Sequence, residues 1–187
     1  MNLRLHLLCA ASTPSTRSLG FPADEGLDAF GLESLSLFSG LPAADRVLRS
    51  PALSALQTAE GLGLRAEVEP FLRDCDFGLW AGRSLEEVAA REPDGVAQWL
   101  RDADAAPHGG ESFADVLKRV GAWMDGLAQS ALAITHPTIL RAAIVRALGA
   151  GASAMAHVDV APLTLARLSR AGGRWTFKAL IPVRDAR

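Results

Sequence analysis

The order of its apolar segments constrains this chain more than any other feature. Short runs of strand length alternate with longer stretches of helical period. Leu3–Cys9 is a compact apolar run that gives way to small and polar residues over Ala10–Ser15, the pattern of a buried strand feeding a loop. Arg46–Arg49 repeats it, and Pro51 then sits in the first turn of a helix expected over Ala52–Leu62. A further short strand is expected over Ala66–Val68. Ala131–Thr135 reads as a strand handing over to a helix at Thr138–Leu148, and Leu163–Ser169 and Arg174–Ile181 flank Gly172-Gly173 as a hairpin. Alternation of this kind predicts an α/β three-layer sandwich, a mostly parallel sheet with helices on both faces, in a single domain over residues 1–187.

The intervening segments supply helix punctuation. Leucines 32, 35, 37 and 41 predict a helix over Leu32–Leu41. Ser84 with Glu87 forms a capping box, and the helix it opens should stop near Pro93. A second helix follows over Asp94–Arg101. Ser112 caps another that runs to about Leu127, with Phe113, Val116, Leu117, Val120 and Met124 on one face. Phe71–Gly82 and Ala103–Gly110 read as irregular.

Composition limits the functional classes. The chain is 49% hydrophobic, enough to build a core without disulfides or metals. Lys and Arg total 19 against 21 Asp and Glu, a formal charge of -2, which gives no general attraction to nucleic acid or to an anionic membrane. No apolar run approaches the roughly 18 residues needed to span a bilayer. A leader-peptide reading of the first residues is weakened by the short apolar run and by His6; a core strand fits better. With Cys9 and Cys75 as its only cysteines, the chain is expected in a reducing cytoplasm. No cofactor is implied, and nothing in the sequence fixes an oligomeric state. Cys9, Cys75 and His136 lack any close metal-ligand spacing.

In sheets of this kind ligands bind beyond the carboxyl ends of the strands. Three segments reach that edge: Cys9–Arg17, Ser50–Thr58 and Thr135-His136-Pro137. The loops holding Asp74 and Gly109-Gly110-Glu111-Ser112 are placed to close over it. Taken in order, these segments resemble the histidine phosphatase (phosphoglycerate mutase-like) superfamily. Ser50–Ala59 is similar to the segment carrying the family's second phosphate-binding arginine, and Leu72–Gly82 to the stretch carrying its acidic proton donor. Gly110-Glu111-Ser112 is similar to a site-closing loop. Thr135-His136, with Arg141 following, is similar to the segment carrying its second histidine.

The resemblance implies a phosphoryl-transfer site in which a histidine at the end of the first strand attacks phosphorus. Arginines and a second histidine stabilise charge on the phosphoryl oxygens, and an acid protonates the leaving oxygen. This sequence departs from that motif. The family's Arg-His-Gly stands here as Cys9-Ala10-Ala11, and Ser54 occupies the second arginine position. Alanine has no lone pair to attack with, so the phosphohistidine route is closed at Ala10. These departures together read as divergence rather than as one knocked-out residue.

Several candidates remain. His136 and Asp74 are the surviving acid–base pair, with water as the nucleophile of any phosphate-monoester hydrolysis. Thr13, Arg17, Glu111, Arg141, Ala10, Cys9 and Ser54 are the expected substrate-binding set, helped by backbone N–H groups around Ala11–Thr13. Each has a plainer alternative. Asp74 would cap a turn, Arg17 would be a solvated loop cation, and Cys9 would be a buried thiol rather than a thiolate. His108 reads as a surface loop residue able to swing inward. Trp80, Trp99, Trp123 and Trp175 read as core or groove aromatics, and Arg65, Arg73, Arg83, Arg91 and Arg101 mainly as a solvated face. The expected partner is a phosphorylated or other anionic small molecule, not nucleic acid and not a membrane. The rival is a non-catalytic interaction or regulatory protein that keeps only the fold.

Overall fold

A computed structural model describes residues 2–36 and 40–182. Its strands are β1 (Leu3–Cys9), β2 (Arg46–Arg49), β3 (Glu67–Val68), β4 (Ala131–Thr135), β5 (Thr164–Ala171) and β6 (Arg174–Pro182). The α-helices are α1 (Pro14–Ser18), α2 (Ala29–Ser36), α3 (Leu53–Gly61), α4 (Leu85–Arg91), α5 (Pro93–Arg101), α6 (Phe113–Gly126) and α7 (Pro137–Leu148). Short 3-10 turns cover Pro70–Leu72, Gly78–Trp80 and Ala152–His157.

The sheet order is β3-β2-β4-β1-β5-β6. The first four strands in that order run parallel, and the β5–β6 hairpin adds two antiparallel strands at one edge. The sheet is thus mostly parallel, as expected, with the expected hairpin at Gly172-Gly173 as its antiparallel edge.

Side-chain alternation divides the core between the two faces. Leu5, Leu7, Ala131 and Ala133 join one apolar cluster with Val120 and Met124 of α6 and Ile139 and Leu140 of α7. Leu8, Leu132, Ile134 and Leu165 face the other way, onto Ala55 and Ala59 of α3. The sheet is thus the middle of three layers. Both helix caps read from sequence are present as full capping boxes, Ser84 with Glu87 and Ser112 with Asp115.

Two elements differ from expectation. Pro14–Ser18 is a short helix rather than loop, with Thr13 as its N-cap and Pro14 in its first turn. α2 lies earlier than the leucine spacing suggested. Its start is set by Asp28, whose carboxylate accepts from Gly31 N (2.7 Å) and from Ser12 Oγ (3.0 Å). A Cβ on Gly31 would stand 2.3 Å from Ser12 O, so only glycine permits this approach. Of the expected leucines, Leu35 is buried and Leu32 is exposed, while Leu37 lies outside the described residues.

Candidate active-site cleft

The parallel register brings the ends of β1 and β4 together. Cys9 pairs with Thr135, and Ala10 N donates to Thr135 O at 2.7 Å. Ala10 and His136 therefore leave the sheet side by side. Ser50 N donates to Ile134 O (2.9 Å), which sets the end of β2 next to them. An open cleft of about 470 Å3 lies over this edge, within the size range of small-molecule sites. Cys9, Ala10, Thr13, Ser54, Asp74, His136 and Arg141 all line it.

His136 is hydrogen-bonded at one ring nitrogen and lies near a carboxylate at the other. Nε2 lies 2.8 Å from Ser50 Oγ, and Nδ1 lies 3.7 Å from Asp74 Oδ2. A hydroxyl both donates and accepts, so Ser50 complements either tautomer. The other Asp74 oxygen accepts from Cys75 N at 2.8 Å. The ring is buried beside a carboxylate, at a separation that suits a charge pair but is too long for a direct hydrogen bond.

Arg141 stands apart. Among the described residues its guanidinium has no hydrogen bond or ion pair, and its Nε is buried without a partner. Among the described residues it is the only arginine or lysine lining the cleft. Three carboxylates share that lining: Glu25, Asp74 and Asp159. Glu25 is partly engaged, accepting from Ser15 N (3.0 Å) and from the Ser15 hydroxyl.

Several sequence expectations need correcting. Glu111 does not line the cleft. Its carboxylate accepts from Arg119 Nε (2.9 Å), Arg119 Nη2 (2.9 Å), Arg73 Nη2 (2.9 Å), Arg73 Nη1 (3.2 Å) and Asp76 N (3.2 Å). So many donors leave it little capacity for a ligand. Arg73 is thus half of an ion pair rather than a free surface charge. Arg17 is exposed on α1 and outside the lining, so it supplies no replacement cation.

The strand-end backbone is also less available than expected, since Ala11 N donates to Thr58 Oγ1 at 3.1 Å. The Thr13 hydroxyl is shared with Ser15 and Thr16 as the cap of α1. Burial, and then the nearby Asp74 charge, push the Cys9 thiol far above its ordinary range, with Arg141 opposing, which favours the neutral thiol over a thiolate. His108 is fully buried, not a surface residue. It accepts from Gly110 N at 3.1 Å and packs edge-on against Trp80 and Phe77. Burial lowers its pKa, with Asp76 partly opposing.

Sequence reasoning missed Arg119. Its guanidinium reaches Phe71 O (2.6 Å), Arg73 O (3.1 Å) and Asp74 O (3.2 Å) while pairing with Glu111. One buried cation thereby fastens the loop that carries Asp74 to the start of α6. Glu25 and Asp159 were missed as well, both lying in loops with no periodic signal. Among the described residues, no group of three or more His, Cys, Asp or Glu side chains is placed to hold a metal ion. No described helix is long and apolar enough to cross a membrane.

Known proteins agree with this architecture. A bifunctional protein of Mycobacterium tuberculosis is 35% identical over 120 residues, 60% of this chain but 33% of that protein, so the chain spans about a third of its length. Phosphoserine phosphatase 1 of Hydrogenobacter thermophilus is 30% identical over 112 residues, 54% of this chain and 51% of that enzyme. Among solved structures, a putative alpha-ribazole-5'-P phosphatase from Escherichia coli superposes with a TM-score of 0.83 at 24% identity, covering 99% of this chain and 98% of that one. A histidine-to-alanine mutant of phosphoserine phosphatase from Entamoeba histolytica, in complex with phosphoserine, gives a TM-score of 0.82 at 15% identity, covering 97% and 98%. The model of the histidine phosphatase superfamily (branch 1) matches residues 11–181, and the chain belongs to that superfamily.

Proposed function

We propose that the cleft binds a phosphorylated small molecule through Arg141, and that no phosphohistidine forms at the family's nucleophile position. The observation that carries this reading is the unpaired Arg141 guanidinium in an open cleft. A half-buried cation with one buried, unpartnered N–H is completed well by an anion. The complex of the Entamoeba mutant supports the reading, since a protein of this fold lacking one histidine is seen there with a phosphate monoester.

The residues also limit the chemistry. Ala10 offers no nucleophile, and Cys9 and Ser54 offer no positive charge to a transferring phosphoryl group. Losing one such donor typically costs about 10²–10³ in rate, and here two cations and the nucleophile are absent together. In the N-terminal turn of α3 one donor is already used, since Asp24 Oδ1 accepts from Leu53 N at 2.8 Å. His136 and Asp74 remain as a pair able to activate water, so residual hydrolysis would run through that pair. The rival interaction-protein reading is favoured by a cleft packed shut, and this one is open.

Calorimetric titration with inorganic phosphate tests the proposal. Saturable binding near millimolar strength, about 4 kcal/mol, is expected of a single cation. Arg141→Ala should weaken it at least tenfold while leaving the thermal midpoint nearly unchanged. Equal binding by both proteins would remove Arg141 from the site.

A further inference from the structure

Inorganic phosphate would fill only part of a cleft of about 470 Å3, and the cleft also has an aromatic group in its lining. Its wall is a set of aromatic rings on α5, α6 and the loop before α2. Trp99 stands 5.4 Å from Phe21 and 5.2 Å from Phe113, centroid to centroid, and all three line the cleft. Behind them Trp80 is fully buried and fixed by its indole N–H to Glu92 Oε2 at 3.1 Å. Trp99 packs edge-on against Trp80, and its own indole N–H has no partner, so packing alone holds it.

Both capping boxes serve the same wall. Ser84 with Glu87 presents Leu85 at the first position of α4, and Ser112 with Asp115 presents Phe113 at the first position of α6. Leu85 and Phe113 both line the cleft, so two fixed helix starts shape the slot. Charge narrows the choice of ligand further. One guanidinium shares the lining with three carboxylates, Glu25, Asp74 and Asp159, so among the described residues a second anionic group on the ligand finds no second cation there.

From this geometry we infer that the ligand is a phosphate monoester of a flat aromatic alcohol carrying no second anionic group, its ring seated against Trp99 and Phe113. The inference rests on the reading that Arg141 holds the phosphate. Offset or edge-on packing on Trp99 and Phe113 adds dispersion and quadrupole attraction to the area buried, which sets the preference for an aromatic over a bare phosphate.

Three probes test it by calorimetry: inorganic phosphate, phenyl phosphate and 3-phosphoglycerate. Phenyl phosphate should bind about tenfold more tightly than inorganic phosphate, and 3-phosphoglycerate no more tightly than inorganic phosphate. In Trp99→Leu the ratio of the phosphate to the phenyl phosphate dissociation constant should fall to within about threefold of unity. Trp99→Phe, which keeps a ring and a folded wall, should retain most of the ratio. Equal affinity for phosphate and phenyl phosphate, both lost in Arg141→Ala, would overturn the aromatic subsite and leave the phosphate reading standing. Phenyl phosphate binding that depends on Trp99 and not on Arg141 would do the reverse. Tighter binding of 3-phosphoglycerate than of phenyl phosphate would overturn the charge argument, and absence of binding by all three would overturn both readings.

Discussion

The two walls of the cleft are built on opposite plans. On the sheet side, the positions at the end of β1 and the start of α3 hold Cys9, Ala10, Ala11 and Ser54, small side chains with no formal charge. On the loop side, Arg119, Glu111 and Arg73 form a dense network that fixes Phe71, Arg73 and Asp74 through their carbonyls. The sheet-side wall keeps its shape by backbone pairing and a few neutral or capping hydrogen bonds, such as Ala11 N to Thr58 Oγ1. The loop-side wall keeps its shape by buried charge. The family's nucleophile and second-arginine positions carry Ala10 and Ser54, while Arg119 and Glu111 fasten the loop that carries Asp74; the two sets are different residues.

The largest expected effect lies on the loop-side wall. Glu111→Ala leaves Arg119, whose side chain is only 11% exposed, without its counter-charge. Urea denaturation should show a loss of about 3 kcal/mol, the scale of breaking a mostly buried charge pair. A loss below about 1 kcal/mol would mean that the network is a surface ornament and that the contrast between the walls is weaker than stated.

A smaller effect comes from His108, which sits behind the same wall. Folding lowers its pKa by burial, so the unfolded chain takes up a proton first as the pH falls. Its contribution to stability is complete above the ordinary histidine value of about 6.5 and declines as the pH drops toward the lowered folded value. His6, whose pKa is lowered by burial and by Arg167 and Arg4, adds to the same slope. Between pH 7.5 and 5.5, His108→Gln should therefore lose less stability than the parent protein. An unchanged slope would assign the whole dependence to other groups.

The smallest effect is expected on the sheet-side wall. Ala10→His restores an imidazole but no positive charge at positions 9 or 54. Hydrolysis of phenyl phosphate by this variant should stay within a fewfold of the parent. A rise of a hundredfold or more would show that Arg141 and His136 suffice for the family's chemistry.

These walls were not equally legible in the sequence. The sheet-side wall follows from apolar runs ending in small residues, and the register of β1 with β4 then places Ala10 beside His136. The capping boxes were legible because Ser84–Glu87 and the start of α6 at Ser112 have fixed local spacing. The loop-side network was not. Glu111 and Arg119 are eight residues apart, beyond the spacing at which neighbouring turns of a helix pair their charges, and Arg119 meets loop carbonyls from more than forty positions away. His108, between Pro107 and Gly109, has the composition of an exposed loop and is buried only because Phe77 and Trp80 close over it. The aromatic wall was visible as residue types, but its convergence depends on how α5 and α6 pack, which periodicity alone does not give.

The central claim is that the cleft binds a phosphate ester without becoming phosphorylated. The direct measurement is intact-protein mass spectrometry under neutral conditions after incubation with phenyl phosphate at saturating concentration, with and without acid treatment. The account predicts an unmodified mass in both samples. An added phosphoryl group that acid removes, mapped to His136 or His108, would contradict it, because a histidine other than the one absent at position 10 would then be the nucleophile.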